Sequence, residues 1–470
     1  MRVLAPLRRG PDVPARRVDA DLVVLGVEVA LVAAAVAVGV LLNARGVGLH
    51  ADAAPLYASW RPHLGWGTPA ALLVATGVIG WGVQWARTAG WGRLLVAAYL
   101  AAVAWTMSLA LVDGWSAGFT RRLTPQAEYL HEVPRVTDIT AMLAGFSARI
   151  LDFQPHAWST HTAGHPPGPL LLFVGLDRIG LGGPTVAALA CVLVGATVTV
   201  SVPVTLRALG AEEAARQVLP FLVLLPGAIW VGVSADGIFA GVVAAGLALL
   251  AVRGLAAAAV GGLLLGFALY LSYGLVLVGV LALAVVALRP RDRWPAVLAA
   301  LAGAGAVVAT FTLAGFWWLD GYHLVVERYH QGWAAERPYG YWVWANVAAL
   351  LLCAGPALGP ALLRTAHASI GPARTVARRW RCPDRAPVIA WFDALRGAGP
   401  TMLLPLVAVL AVVVADLSGL SKAEVERIWL PFVVWLLVAA AHLPPAAQRL
   451  WLAGQVLTAL AVSHLLWTVS

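Results

Sequence analysis

Apolar residues in this chain arrive in long unbroken runs rather than in alternation. Crossing a bilayer as a helix takes about 20 such residues. Runs of that kind, several of them short, occupy 22–42, 68–86, 94–112, 183–207, 217–233, 236–253, 255–271, 273–289, 294–318, 342–363, 400–416, 428–443 and 449–467. The pattern predicts an all-α polytopic bundle of about thirteen spans. Segment 168–181 is apolar as well, but runs only about a dozen residues before Asp177-Arg178, a marginal length for a crossing. Polar residues are gathered into a few long interruptions, chiefly 43–67, 113–167, 319–341 and 364–399.

Charge orients these runs. Residues 1–20 are basic (Arg2, Arg8, Arg9, Arg16, Arg17) and read as a cytoplasmic tail rather than a cleaved signal. Arg87 and Arg93 mark a second cytoplasmic loop. Arg364, Arg374, Arg378, Arg379, Arg381, Arg385 and Arg396 mark a third, within 364–399. Both placements hold together only if 168–181 does not cross, so it is expected to lie on the external face as an interfacial or re-entrant helix. Two spans within 21–93 then precede a core over 94–470, and most of the His, Glu, Tyr and Trp of the polar insertions collects on the extracytoplasmic side.

Composition narrows the class. With 61% hydrophobic and 12% charged residues, the chain is a multi-pass protein of a lipid bilayer. The net charge of +9 is almost wholly arginine, Lys422 being the only lysine. Basic loops that hold topology account for it, and no nucleic-acid partner is expected. The richness in Ala, Val, Leu, Gly and Arg suits a bacterial plasma membrane. Cys191, Cys353 and Cys382 are scattered, with neither a disulfide framework nor zinc spacing.

Ionisable residues are expensive near a membrane, so their clusters are the candidates for chemistry. Segment 113–167 holds Asp113, Arg121, Arg122, Glu128, Tyr129, Glu132 and four histidines. Arg121 and Arg122 sit where the positive-inside rule disfavours them; they read equally as tolerated loop residues or as forks for a lipid phosphate. Residues 135–151 show helical spacing (Ile139, Met142, Leu143, Phe146, Ile150), with Thr137 or Asp138 as cap, and read as an amphipathic surface helix. His165-Pro166-Pro167 is a stiff corner that aims His165 and starts the next helix. His156, His161 and His165, five and four residues apart, make no regular helical set. No cofactor is expected, and a divalent metal is not supported by ligand spacing. Asp236, after Pro226-Gly227-Ala228-Ile229-Trp230, is either a helix cap or a pocket residue. Glu327 and Arg328 lie among aromatics that serve equally as an interfacial belt or a sugar surface. Lys422-Ala-Glu424-Val-Glu426-Arg427, leading into Leu430-Pro431, places two cations where an anionic headgroup would be met.

An external acidic turn, then His-Pro-Pro, then Pro-Gly-x-x-Trp ending in Asp236, then a late Lys-x-Glu-x-x-Arg before Leu-Pro, resembles the polytopic GT-C glycosyltransferases. The closest groups are the protein O-mannosyltransferases, the aminoarabinose transferases and the actinobacterial mannosyl- or arabinosyltransferases. The resemblance covers about 95–440. Gly168 stands where the family has leucine, and no adjacent Asp-Glu pair is present. It implies an inverting transfer of a sugar from a polyprenyl-phosphate donor to an envelope glycan, lipid or protein. Glu128, Glu132 or Asp113 would be the general base. Arg427 and Lys422, with Arg121 and Arg122, would hold the lipid phosphate. His165, Asp236, Tyr129, Glu327 and Arg328 would line the substrate. The competing expectation is a transporter or flippase, which calls for ionisable groups at mid-membrane and for inverted repeats.

Overall fold

The computed structural model describes residues 15–232, 234–289, 293–379 and 397–468. The tail up to residue 14 and segment 380–396, with Cys382, lie outside the described residues, as do most of the arginine side chains of the 364–399 loop. The structure is 75% helical, and the one sheet among the described residues is a two-stranded antiparallel pair, Ala58–Trp60 with Leu466–Thr468. Among the described residues, six helices are long and apolar enough to cross a membrane: Ala20–Ala44, Gly67–Thr88, Trp91–Ala110, Pro184–Ala208, Arg293–Leu313 and Pro400–Leu417. They mark a membrane protein. Four more apolar helices (Ala235–Ala251, Leu255–Leu271, Tyr273–Leu288 and Leu430–His442) are shorter. Among the described residues six helices, or seven spans if the bent pair is one, meet that length and composition, and the finer count of about thirteen is not shown.

Two of the expected spans are interrupted. The run 342–363 is split into Tyr339–Ala354 and a second helix from Leu358, bent by 99°. Gly355-Pro356 accounts for the break: Gly355 takes a φ of +89°, which an L side chain avoids, and proline cannot continue the ladder. The run 217–233 is likewise split, into Glu212–Val223 and Ala228–Val231, around Pro226-Gly227. The two breaks meet. Gly227 N donates to Cys353 O at 2.8 Å, Gln455 Nε2 to Ala354 O at 2.9 Å and Trp105 Nε1 to Leu225 O at 3.0 Å. Irregular backbone inside an apolar bundle is tolerated where its polar groups are satisfied in this way.

The first helix carries Glu28, a carboxylate that its apolar neighbours do not explain. It is buried, and its Oε1 accepts from Gly359 N at 2.6 Å in the first turn of the helix that follows the bend. Seven residues earlier Asp21 pairs with Arg364, its Oδ2 2.6 Å from Nη2. Both contacts run antiparallel along the same helix pair, so the N-terminal helix is docked on the bundle by charge at its polar end and by helix capping above it.

Small residues close the helix pair Leu255–Leu271 and Arg293–Leu313. A Cβ at Gly262 would overlap Ala300 O, and one at Gly303 would overlap Ala259 O. Close backbone approach is the main attraction between helices in lipid. Gly262→Val should therefore prise the pair apart and lower the unfolding temperature in detergent, whereas Gly279→Ala, where nothing lies within 4 Å of the added Cβ, should leave it unchanged.

Segment 168–181 forms the helix Gly168–Arg178, 11 residues long and not among the candidate spans. The surface helix expected over 135–151 is shorter than its apolar spacing suggests. Asp138, not Thr137, caps it by accepting from Thr140 N and Ala141 N, and the α-helix Ile139–Ala144 stops at Gly145. A 3-10 turn over Ser147–Arg149 continues the apolar face. Met142, Leu143, Phe146 and Ile150 are buried against Trp158, Tyr270 and Phe316, while Ile139 is exposed.

Candidate functional site

Four short pieces of chain converge at one end of the bundle. They are the turn before the 3-10 helix Tyr129–His131, the single helical turn Thr160–Ala163, the first turn of helix Ala235–Ala251, and the turn Val425–Ile428. Their positions follow from local chemistry. His161 N donates to Ala127 O at 2.9 Å, which lays the histidine segment against the acidic turn. Asp236 follows Ser234, whose hydroxyl bonds Trp230 O rather than capping the helix, so Asp236 is free to face inward.

Arg427 is the hub. Its Nη1 donates to Asp236 Oδ2 at 3.0 Å, and its Nη2 to Glu424 Oε2 at 2.5 Å. Nη2 also lies 3.4 Å from His161 Nε2. His161 Nδ1 in turn lies 2.8 Å from Glu128 Oε1. Arginine only donates and a carboxylate only accepts, so this chain assigns the histidine tautomer: Nε2 accepts from Arg427 and Nδ1–H donates to Glu128. Arg427, Asp236 and Glu128 are at most 8% exposed. Burial alone would lower the Arg427 guanidinium, but Glu424 and Asp236 hold it above its ordinary value.

Glu424 bridges to a second buried cation. Arg337 Nη1 lies 3.3 Å from Glu424 Oε1 and also donates to Lys422 O at 2.5 Å; Arg337 Nη2 donates to His50 O at 3.2 Å. Ala423 and Glu424 both sit in the left-handed region, with φ of +69° and +62°. Non-glycine residues hold that conformation only where surroundings impose it, and such strain gathers at functional sites.

The two carboxylates of this turn are driven apart. Burial works to raise Glu424, yet the charges of Arg427 and Arg337 hold it down at about 2. Glu426, 1% exposed, accepts from Tyr57 N at 3.0 Å through Oε1, and among the described residues nothing donates to Oε2; burial pushes it up to about 7. The signs differ. Glu424 contributes stability that is present above 4.5 and lost as pH falls toward about 2. Glu426 contributes stability that is full below 4.5 and lost as pH rises through about 7. Glu426→Gln should therefore flatten the fall in unfolding temperature between pH 5 and 8, and a scan of thermal unfolding against pH in detergent checks it.

His165 is packed between Tyr129 and Phe239, at ring distances of 5.8 and 5.7 Å, and its Nδ1 donates to His161 O at 2.8 Å. Burial lowers it to about 4, so near neutrality it is an uncharged imidazole with Nε2 as acceptor. Tyr129 is buried beside both histidines.

The structure brings together Glu128, Tyr129, His165, Asp236 and Arg427. It places the other candidates elsewhere. Asp113 pairs with Arg122 Nη2 and His63 Nε2, both at 2.6 Å, and Arg122 also holds Thr468 O, so this group pins the two-stranded sheet. Glu132 accepts from Ser159 N at 3.0 Å, with Arg135 and Arg149 at 3.5 and 3.7 Å, and anchors the segment ahead of His161. Arg121 is exposed, as is Glu327. Arg328 pairs with Asp152 at 3.1 Å. Lys422 turns its Nζ to the carbonyls of Ala335 and Arg337, at 2.8 and 2.7 Å, bracing the loop rather than facing the hub.

His161, Glu424, Glu426, Arg337 and Tyr57 belong to the site although none was among the site residues expected from the sequence. For His161 a signal was present: it lies four residues before His165, the spacing that stacks side chains on a helix face. For Arg337 and Tyr57 no local signal existed, because they come from loops far away in the chain. Among the described residues no set of three or more His, Cys, Asp or Glu is placed to hold a metal ion. No protein-family description, curated protein or solved structure matches this chain.

Proposed function

We propose that this chain is an inverting membrane glycosyltransferase of the GT-C type, moving a mannose- or arabinose-class sugar from a polyprenyl-phosphate donor to an envelope acceptor. The observation that supports it is the buried line Glu128–His161–Arg427, flanked by Asp236 and Glu424, at one end of an apolar bundle. A base and a cation joined through a neutral imidazole suit a displacement at an anomeric carbon. Glu128 takes the proton of the acceptor hydroxyl. The acceptor oxygen attacks the anomeric carbon from the face opposite the phosphate. The carbon–oxygen bond to phosphate breaks, and polyprenyl phosphate leaves with the electron pair. Arg427 meets the charge that develops there. Its two Nη groups are engaged by carboxylates and its Nε makes no hydrogen bond, so donor binding exchanges Asp236 or Glu424 for phosphate oxygens. His165, uncharged, orients the donor, with Tyr129 beside it.

In this reading the N-terminus is cytoplasmic, the hub faces the extracytoplasmic side of a bacterial plasma membrane, and the chain crosses thirteen times. The short apolar helices and broken runs complete the crossings. Transfer of label from polyprenyl-phosphate mannose or arabinose in membranes carrying the wild-type chain tests it; absence of transfer with either donor sinks it.

The meeting of two broken helices inside the bundle favours a second reading, a transporter or flippase of lipid-linked substrates, since interrupted helices are where transporters bind cargo. Movement of a labelled polyprenyl-phosphate sugar across proteoliposomes, without chemical transfer, would select it.

A further inference from the structure

The loop that follows the first helix reaches the hub from outside the family-like core. Its Tyr57 ring lies near-parallel to that of Trp333, with centroids 6.2 Å apart and planes 21° apart. Arg337, 3% exposed, lies 4.5 Å from the Trp333 ring centre and 5.4 Å from that of Tyr57. One buried guanidinium thus lies against both stacked rings and is itself held by Glu424 and by His50 O. Trp333 is 44% exposed, so its ring remains open beside the half-buried Tyr57. His50 borders it at 5.0 Å from the Trp333 ring, and its Nε2 is 3.4 Å from Glu336 Oε2, a carboxylate 71% exposed.

We propose that Tyr57 and Trp333 form a saccharide-binding shelf, with Glu336 and His50 at its rim, that holds a neutral sugar residue of the acceptor. The C–H-rich face of a sugar ring packs on an aromatic face, and the rim groups accept from and donate to its hydroxyls. A lipid tail would need neither carboxylate nor imidazole. The rings are locked by Arg337 before any ligand arrives, which reduces the ordering cost of binding. Only Glu424 separates Arg337 from Arg427, which puts the shelf next to the hub and outside it. Its assignment to the acceptor rests on the glycosyltransferase reading; saccharide binding itself does not.

The test uses the full chain in nanodiscs and saturation-transfer NMR with mannobiose and arabinobiose. The wild type is expected to bind at least one of them. Trp333→Ala and Tyr57→Ala should weaken that binding at least tenfold at unchanged unfolding temperature, and Trp333→Phe should restore most of it. No binding by the wild type at millimolar disaccharide, or equal affinity in Trp333→Ala, overturns the shelf. If disaccharide binds through Trp333 but no sugar is ever transferred, the shelf stands and the transferase reading falls. If transfer occurs with an acceptor KM unmoved in both shelf variants, the transferase stands and the shelf falls.

Discussion

Arg427→Ala is expected to abolish sugar transfer and to lower stability at once, and the two losses should be separable. Among the described residues the guanidinium is the only charged partner of Asp236 and one of two for Glu424. Removing it leaves the buried Asp236 carboxylate unpaired, while Glu424 keeps Arg337; an orphaned buried charge costs about 3–5 kcal/mol. Adding Asp236→Asn to the alanine variant removes that orphaned charge and should return much of the unfolding temperature. It should not return transfer, which remains down by about a hundredfold to a thousandfold, the effect of losing one preorganised donor at a developing charge. Thermal unfolding in detergent and label transfer, measured on all three proteins, check this. Recovery of transfer along with stability would mean that Arg427 only holds the fold. Arg427→Lys is no rescue: a single ammonium cannot reach Asp236, Glu424 and His161 together.

Glu128→Gln is the second large effect, and here the fold should survive. A glutamine oxygen still accepts from His161 Nδ1–H, so the line to Arg427 is kept. What disappears is the basic oxygen, and transfer should fall by about a hundredfold to ten-thousandfold. Glu132→Gln is the informative control. That side chain is tied to Ser159 N and to two arginines in the wall of the site. The variant should lose stability while transfer per folded molecule stays within a few-fold of wild type. The opposite ranking of the two variants would move the base from Glu128 to Glu132.

Much of the site was legible in the residues. Glu128, Tyr129, His165, Asp236 and Arg427 stood out because charge or rigid proline turns in an apolar chain are rare and cannot be placed idly. The helix Gly168–Arg178 was legible too, since an 11-residue apolar run is too short to cross and the loop arginines needed a non-crossing segment. The partition of the carboxylates was not legible. Asp113, Glu128 and Glu132 lie within twenty residues, and nothing local says that the first meets Arg122 and His63 while the second meets His161. The role of the N-terminal helices was equally hidden, because Tyr57 N and Glu426 are 369 positions apart and His50 O and Arg337 are 287 apart.

The interrupted runs show the same division. Gly355-Pro356 and Pro226-Gly227 announce a break, but a hydropathy window averages over it and returns a continuous span. That the two breaks meet, each satisfying polar groups of the other, depends on helices distant in sequence.

By itself the sequence determined an all-α membrane protein, which of its turns are polar, and which few residues are too costly to be incidental. These follow from local terms: transfer of each side chain between water and lipid, and the backbone preferences of glycine and proline. Only the tertiary structure decided which charge neutralises which. In a buried setting a cation takes its partners from whatever the packed helices bring within about 3 Å. That is why Arg427 ended between Asp236, Glu424 and His161, and why Lys422, five residues earlier, faces backbone carbonyls and the Tyr329 ring.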